Sequence, residues 1–248
     1  MKEQLQKDFN SSIKNLSLSQ KDIEIKKFCL DNFIDKGFPN KKEEDWKFSD
    51  LNQIIKNNIG ELSFYNDQAS TNKVDTSVFV DGLEHNKIVF INGRIEKIDF
   101  EYEKKDQIEI IDQSETINEF KNSNSLSDLN NAFTNKCFKI LVKKGYQLVK
   151  PLIIYHTTNS KIWSKNINLR LNFELDKDSS LRLIDLFNDT SEKNFLNIFY
   201  NFELKQNAIL KNYKVDKFEN KNIKYSFNNI DQDKNLSLIH ISEPTRLL

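Results

Sequence analysis

The chain has 248 residues, with 37 basic and 37 acidic side chains, a formal net charge of zero, 38% hydrophobic residues and two cysteines. Balanced charge excludes a field that would steer the protein to nucleic acid or an anionic membrane, and two cysteines are too few for a disulfide framework, so a reducing compartment fits. No apolar run approaches the roughly 18 residues of a membrane span, and the start, Met1-Lys-Glu-Gln-Leu-Gln-Lys-Asp8, lacks the apolar stretch of a signal peptide, so the expectation is a soluble cytoplasmic chain.

Residues 1–60 read as a helical N-terminal region. Ser19-Gln-Lys-Asp22 has the form of a capping box, and Ile25, Phe28, Cys29 and Phe33 follow at helical spacing. Gly37 supplies the stop and Pro39 cannot extend the helix. A second helical segment begins near Ser49, with Leu51, Ile54 and Ile55 as its apolar stripe, and runs out by Gly60.

Residues 61–135 read as a linker and a mixed α/β segment, polar and without clear period up to about residue 82. Within it, Lys87-Ile-Val-Phe-Ile-Asn92 and Ile95-Glu-Lys-Ile98 flank Gly93-Arg94 as a hairpin-like pair of strands. Ser125-Leu-Ser-Asp-Leu-Asn-Asn-Ala-Phe133 is a short helical candidate.

Residues 136–235 are repetitive. Apolar, β-rich runs fall at residues 138–142, 152–155, 167–175, 181–187, 195–204, 209–215 and 223–230, with centres about 13 to 16 residues apart, a regularity that suits a solenoid or a sandwich. Leu169-Arg-Leu-Asn-Phe-Glu-Leu175 alternates as a strand with one buried face. Tight hairpins need glycine, and after Gly93 only Gly145 remains, so coils turning through Asn and Asp corners at Asn159-Ser160, Asn188-Asp189 and Asn220-Lys-Asn222 are favoured over hairpin stacks. Spacing alone leaves a parallel β-helix and a sandwich both open. The run Lys217-Phe-Glu-Asn-Lys-Asn-Ile-Lys224 mixes lysines and aromatics as single-strand binders do, but its interspersed acid fits a solvated strand face. The last stretch, Leu236-Ser-Leu-Ile-His-Ile-Ser-Glu-Pro-Thr-Arg246, reads as a translated transposase-type sequencing adapter. Residues 236–248 are therefore expected to be an artefact that interrupts an incomplete natural sequence.

Catalytic patterns are absent from the sequence: there is no glycine-rich phosphate loop, no His-Glu-x-x-His and no Gly-x-Ser-x-Gly elbow. His85, in a polar Leu-Glu-His-Asn stretch, reads as an exposed loop residue, and His156 as a solvated strand end rather than a general base. Cys29 lies on an apolar helical stripe. Cys137, beside Lys136, is a thiol whose pKa a lysine could lower, yet one cysteine cannot hold a cluster. Glu43-Glu44-Asp45 precedes a helix and complements its dipole. No catalytic or metal residue is assigned, and an enzyme is not expected.

Lys36-Gly-Phe-Pro-Asn-Lys-Lys-Glu-Glu-Asp-Trp-Lys-Phe-Ser-Asp-Leu51 resembles the N-terminal signature of the SufD family: Gly37, Pro39, Glu44, Trp46, Lys47 and Leu51 match, with Phe38, Phe48 and Ser49 as mild replacements. Trp46 would anchor its segment by burying its indole. Three further segments resemble the family in its order: Lys87-Ile-Val-Phe-Ile-Asn-Gly-Arg94, Leu129-Asn-Asn-Ala-Phe133 and Gly145-Tyr-Gln-Leu-Val-Lys-Pro-Leu-Ile153. The resemblance covers roughly residues 20–230 and implies an α+β fold: a helical N-terminal region followed by a right-handed parallel β-helix, truncated here. It implies a scaffold component of a SUF-type iron-sulfur cluster assembly complex, paired with a SufB-like scaffold and a SufC-like ATPase whose binding regions lie largely beyond this sequence. A transient Fe-S cluster on the complex is implied, with no cofactor held by this fragment and flavin binding left open. The paralogous SufB has a longer N-terminal part without the Glu-x-Trp-Lys signature, so Glu44-Asp45-Trp46-Lys47 favours SufD. A β-helix carbohydrate-active enzyme is the alternative outside the family, though such enzymes are usually secreted.

Overall fold

The computed structural model describes residues 2–14, 16, 18–64, 77, 79–113, 124–134, 137–158, 162–189, 193–217, 222–233 and 237–244. Among them the fold is α+β, with a helical N-terminus followed by two sheets of six mostly parallel strands. No helix among these residues is long and apolar enough to cross a membrane.

Helix α1 (Lys2–Ile13) buries Leu5 and Phe9. Helix α2 (Gln20–Lys36) begins where the sequence places it: the Ser19 hydroxyl accepts from the Asp22 N–H at 3.2 Å. Gly37 ends it at φ 72, a conformation open to glycine without a Cβ penalty, and its N–H returns to the Phe33 carbonyl. Pro39 follows, then a single 3-10 turn (Glu44–Trp46) and α3 (Leu51–Asn58), capped by the Asp50 carboxylate on the Gln53 N–H at 2.9 Å. Helix α4 (Ser125–Phe133) matches its expected limits and is buried along its whole length. Its start is a reciprocal capping box between Asn124 and Ser127.

The strands are β1 (Ser63–Phe64), β2 (Asn86–Ile91), β3 (Arg94–Asp99), β4 (Ile108–Asp112), β5 (Cys137–Val142), β6 (Leu152–Thr158), β7 (Lys165–Leu175), β8 (Ser180–Asp189), β9 (Phe195–Leu204), β10 (Ile209–Lys217), β11 (Ile223–Gln232) and β12 (Ser237–Pro244). From β5 onward the chain alternates between the sheets, so each strand pairs in parallel with the one two places on. The first sheet runs β11-β9-β7-β5-β4, with β1 also paired to β7, and the second β12-β10-β8-β6-β2-β3. The repeat shortens and then holds: Cys137 pairs with Arg170, 33 residues on, and Leu152 with Leu183, 31 on, then Asn166 with Phe195 and Ser180 with Ile209, 29 on, and Phe195 with Ile223, 28 on.

The expected hairpin forms between β2 and β3, turning through Asn92 at φ 52 and Gly93 at φ 80. A Cβ on Gly93 would lie 2.8 Å from the Ile167 side chain, so the position is also sterically closed. Passages from the first sheet to the second use a common turn in which Gly145, Asp178 and Asn207 take positive φ. The turns stack: Gly145 N–H donates to the Lys177 carbonyl at 2.8 Å, Asp178 N–H to Gln206 at 3.0 Å, and the Asn207 amide to the Asp178 carboxylate at 2.8 Å. Asn and Asp tolerate this conformation, which is why corners form without glycine. The proposed corner at Asn188-Asp189 is instead the end of β8. Asn159-Ser160 and residues 220–221 lie outside the described residues. Strands β1 and β4 were not anticipated. The adapter-like Ser237–Pro244 forms β12, paired in register with β10.

Leu169, Leu171, Phe173, Ile198 and Phe202 of the first sheet face Ile88, Ile154, Leu181, Leu183 and Phe187 of the second in one core. The outer face of the first sheet carries Phe195 and Phe199, buried beneath α1, α2 and α4 by Phe9, Phe33, Leu126 and Leu129. Asn130 stitches the layers: its amide donates to the carbonyls of Leu169 (3.2 Å) and Asn197 (2.8 Å), and its oxygen accepts from Arg170 (3.2 Å) and Thr134 (3.0 Å). Its side-chain hydrogen-bonding capacity is thus fully used.

Candidate functional site

Period-two alternation carries the inward face of the second sheet from Leu210 to Asn212, Lys214 and Asp216 on β10. Opposite them, β11 places Lys224, Ser226 and Asn228 in register with the inward Leu196, Ile198 and Tyr200 of β9. One layer of the stack thus lines its interior with six polar side chains, where the same registers in the layer before it hold Leu183, Phe187, Leu196 and Ile198 beside Asp185 and Tyr200.

Beneath that layer lies a buried triad. His156 on β6 and Asp185 on β8 are 4% and 1% exposed. His156 Nε2 sits 2.8 Å from Asp185 Oδ1 and 2.9 Å from the Tyr200 hydroxyl, which itself donates to Asp185 Oδ2 at 2.6 Å. Both neighbours of Nε2 are acceptors there, so that nitrogen carries the proton. The imidazole is clamped between Phe187 (4.4 Å, 7° between planes) and Phe90 (5.4 Å, 10°). Burial alone would raise the Asp185 carboxyl, but His156, with Lys214 and Lys224, outweighs it and holds the group below its ordinary value. Burial, then Asp185, push the Tyr200 phenol well above its usual range.

Lys214 donates to Ser226 Oγ at 2.5 Å and Asn228 Oδ1 at 3.2 Å and lies 5.2 Å from the Tyr200 ring centroid. Burial lowers its ammonium pKa. Lys224 pairs with Asp216 and sits 3.8 Å over the Phe187 ring. Asn212 is 2% exposed, and its oxygen has no hydrogen-bond partner among the described residues. Chemically the arrangement can hold a proton shared among imidazole, phenol and carboxylate and keep two ammonium groups out of bulk water. No three of His, Cys, Asp and Glu converge on a metal site among the described residues.

A second buried polar cluster lies between α2, α4 and the first sheet. Lys26 on α2 is 3% exposed and donates to the carbonyls of Asn131 (3.0 Å) and Thr134 (2.7 Å) at the C-terminal end of α4, where the helix dipole favours a cation. Burial, then Arg170, lower its pKa to about 8. Unfolded lysine titrates near 10.4, so between about pH 8 and 10 the unfolded chain keeps a proton that the folded chain has released, and stability rises with pH there. Urea unfolding at pH 7.5 and 9.5 should show wild type gaining on the order of 2 kcal/mol relative to Lys26→Met. Equal pH dependence of the two proteins would contradict the assignment.

Cys29 and Cys137 border this cluster, each 6% exposed. Burial pushes the Cys29 thiol up to about 11 and raises Cys137 as well, so the lysine-lowered thiol weighed as an alternative at Cys137 does not occur: burial outweighs the nearby cations. The Asn172 amide donates to Cys137 Sγ at 3.3 Å.

His85 and His156 were both expected in solvent, and both are buried. His85 is 3% exposed: its Nδ1 donates to the Leu83 carbonyl at 2.6 Å and its Nε2 accepts from the Tyr155 hydroxyl at 2.7 Å. Its polar neighbours in sequence concealed a partner 70 residues away. Trp46 is half-buried against Tyr225, ring centroids 5.9 Å apart, a lesser anchor than expected. Glu43, Glu44 and Asp45 are exposed. Asp185 and Tyr200 were not singled out from sequence, although Leu181, Leu183 and Asp185 share one parity, which places the carboxylate on the inward face. No protein-family model matches the chain, and no curated protein matches it either.

Proposed function

We propose that the chain is a SufD-like scaffold component of a SUF-type iron-sulfur cluster assembly complex, acting with a SufB-like scaffold and a SufC-like ATPase, and that its two sheets are walls of a right-handed parallel β-helix. The observation that carries this reading is the pairing of each strand from β5 onward with the one two places on, at a repeat that falls from 33 and 31 residues to 28 or 29, behind a helical N-terminal layer. Parallel crossovers within a sheet are right-handed in roughly 98% of cases, which supports the handedness.

The four family-like segments fall where such a role gives them work. Gly37 ends α2, Asn92-Gly93 turns the hairpin that borders the second sheet, Asn130 ties α4 to β7 and β9, and Gly145 opens the stacked turns leading to Pro151 and β6. A scaffold needs a rigid wall and partner surfaces rather than a reactive pocket, and the cluster would be cargo of the assembled complex. The test is co-expression of the complete gene product with the SufB-like and SufC-like proteins of the same genome. A stable three-component complex is expected on size exclusion, whereas elution apart from both partners would sink the scaffold reading and leave a plain binding module.

A further inference from the structure

We infer that the layer formed by β10 and β11 is a weak junction in the stack, one that opens as a unit while β5 to β9 remain paired. In a stacked fold each layer gains its stability mainly from its neighbours, so what lies between two layers sets how readily they part. Between β6, β7, β8 and β9 the filling is Ile154, Leu169, Leu171, Leu183, Ile198 and Phe202, all at most 2% exposed, interrupted by the polar group of His156, Asp185 and Tyr200. The next layer contributes to that core Ala208, Leu210 and, partly, Ile230, all next to the stacked turns; its other inward positions are Asn212, Lys214, Asp216, Lys224, Ser226 and Asn228. Hydrogen bonds and ion pairs among such groups replace bonds to water and return little net stability, whereas apolar burial returns it in proportion to area. The buried oxygen of Asn212 has no partner among the described residues. Opening would bring water to Asp185, Tyr200 and His156, the innermost charged group and its two partners. On its outer face β11 is held by the partly buried Ile223, Tyr225 and Phe227 against Phe199, so the weak side of the junction is its polar interior, and the inference stands whether or not the scaffold reading does.

Hydrogen exchange followed by mass spectrometry on the full chain tests it. Amides of 209–217 and 223–232 should exchange together and at least about tenfold faster than those of 165–175 and 195–204, as expected for a subglobal opening. The triple variant Lys214→Met, Ser226→Ala, Asn228→Leu removes donor and acceptors together and leaves no orphan among the three, so it should narrow that gap by about tenfold or more. Lys211→Met, on the outward face of the same strand, should leave the gap as it is. Uniform protection from β7 through β11 in wild type overturns the inference, and so does a gap that the triple variant leaves unchanged. Should the triple variant fail to fold, the wild-type comparison alone decides.

Discussion

Asp185→Ala is expected to cost about 3–5 kcal/mol, because it leaves buried partners of a carboxylate without it. Tyr200 loses the acceptor at 2.6 Å, His156 loses the carboxylate 2.8 Å from its Nε2, and Lys214 loses the negative charge that offsets its burial. In a chain of this length such a loss lowers the melting temperature by roughly 6–20 °C. It also fixes a pH signature. The folded carboxyl titrates below the value of an unfolded aspartate, about 3.9. Its contribution is therefore fully present above that value and is lost as pH falls through the lower folded one. Thermal melts of wild type and Asp185→Ala should differ most above the unfolded value, from pH 5 to 7, and draw together as the pH falls through the lower folded value. A variant that melts within 2 °C of wild type at pH 6 would show that the triad carries no stability.

Phe187→Ala should cost about as much, 3–5 kcal/mol, by a different route. The ring is 2% exposed, and its removal opens a cavity between His156 and Lys224. Phe187→Leu keeps most of the apolar volume and gives up the stack on the imidazole and the ring face beneath the lysine. It should cost about 1–3 kcal/mol, the range of aromatic pairing and a desolvated cation-π contact together. Chemical denaturation of both variants separates the terms. Equal losses for leucine and alanine would mean that ring geometry, not filled volume, holds this column.

Local features were legible because their causes are local. Ser19, Gly37, Asn92-Gly93 and residues 125–133 fix their own caps and turns within a few residues, and α2, the β2–β3 hairpin and α4 formed where the sequence put them. The strand runs were legible for the same reason, since alternation is a property of the run itself. The site was not. His156, Asp185 and Tyr200 lie on three strands and meet because one strand pairing sets Ile154 beside Asp185, another sets Leu171 beside Tyr200, and the two sheets then face each other. None of those registers is written at the residues concerned. A partial signal existed in β10, where parity from Leu210 sends Asn212, Lys214 and Asp216 to the inside. It contradicts the usual expectation for a lysine, which is seldom buried unless paired. The short β4 was missed although Ile108, Ile110 and Ile111 offered an apolar run, because its antiparallel partner β5 lies some thirty residues on.

The asparagine pairs between layers limit how the gene can change. Asn168 accepts from Asn197 at 3.0 Å, Asn201 from Asn229 at 2.7 Å, and Asn207 donates to Asp178, each across 28 or 29 positions. A codon gained or lost inside a strand would turn every later side chain of that strand to the opposite face and break these pairs at once. Adding or deleting a whole repeat keeps both parity and partners, so the length of such a protein should vary across genomes in steps of one complete circuit of the two sheets, with smaller changes confined to the passages between them.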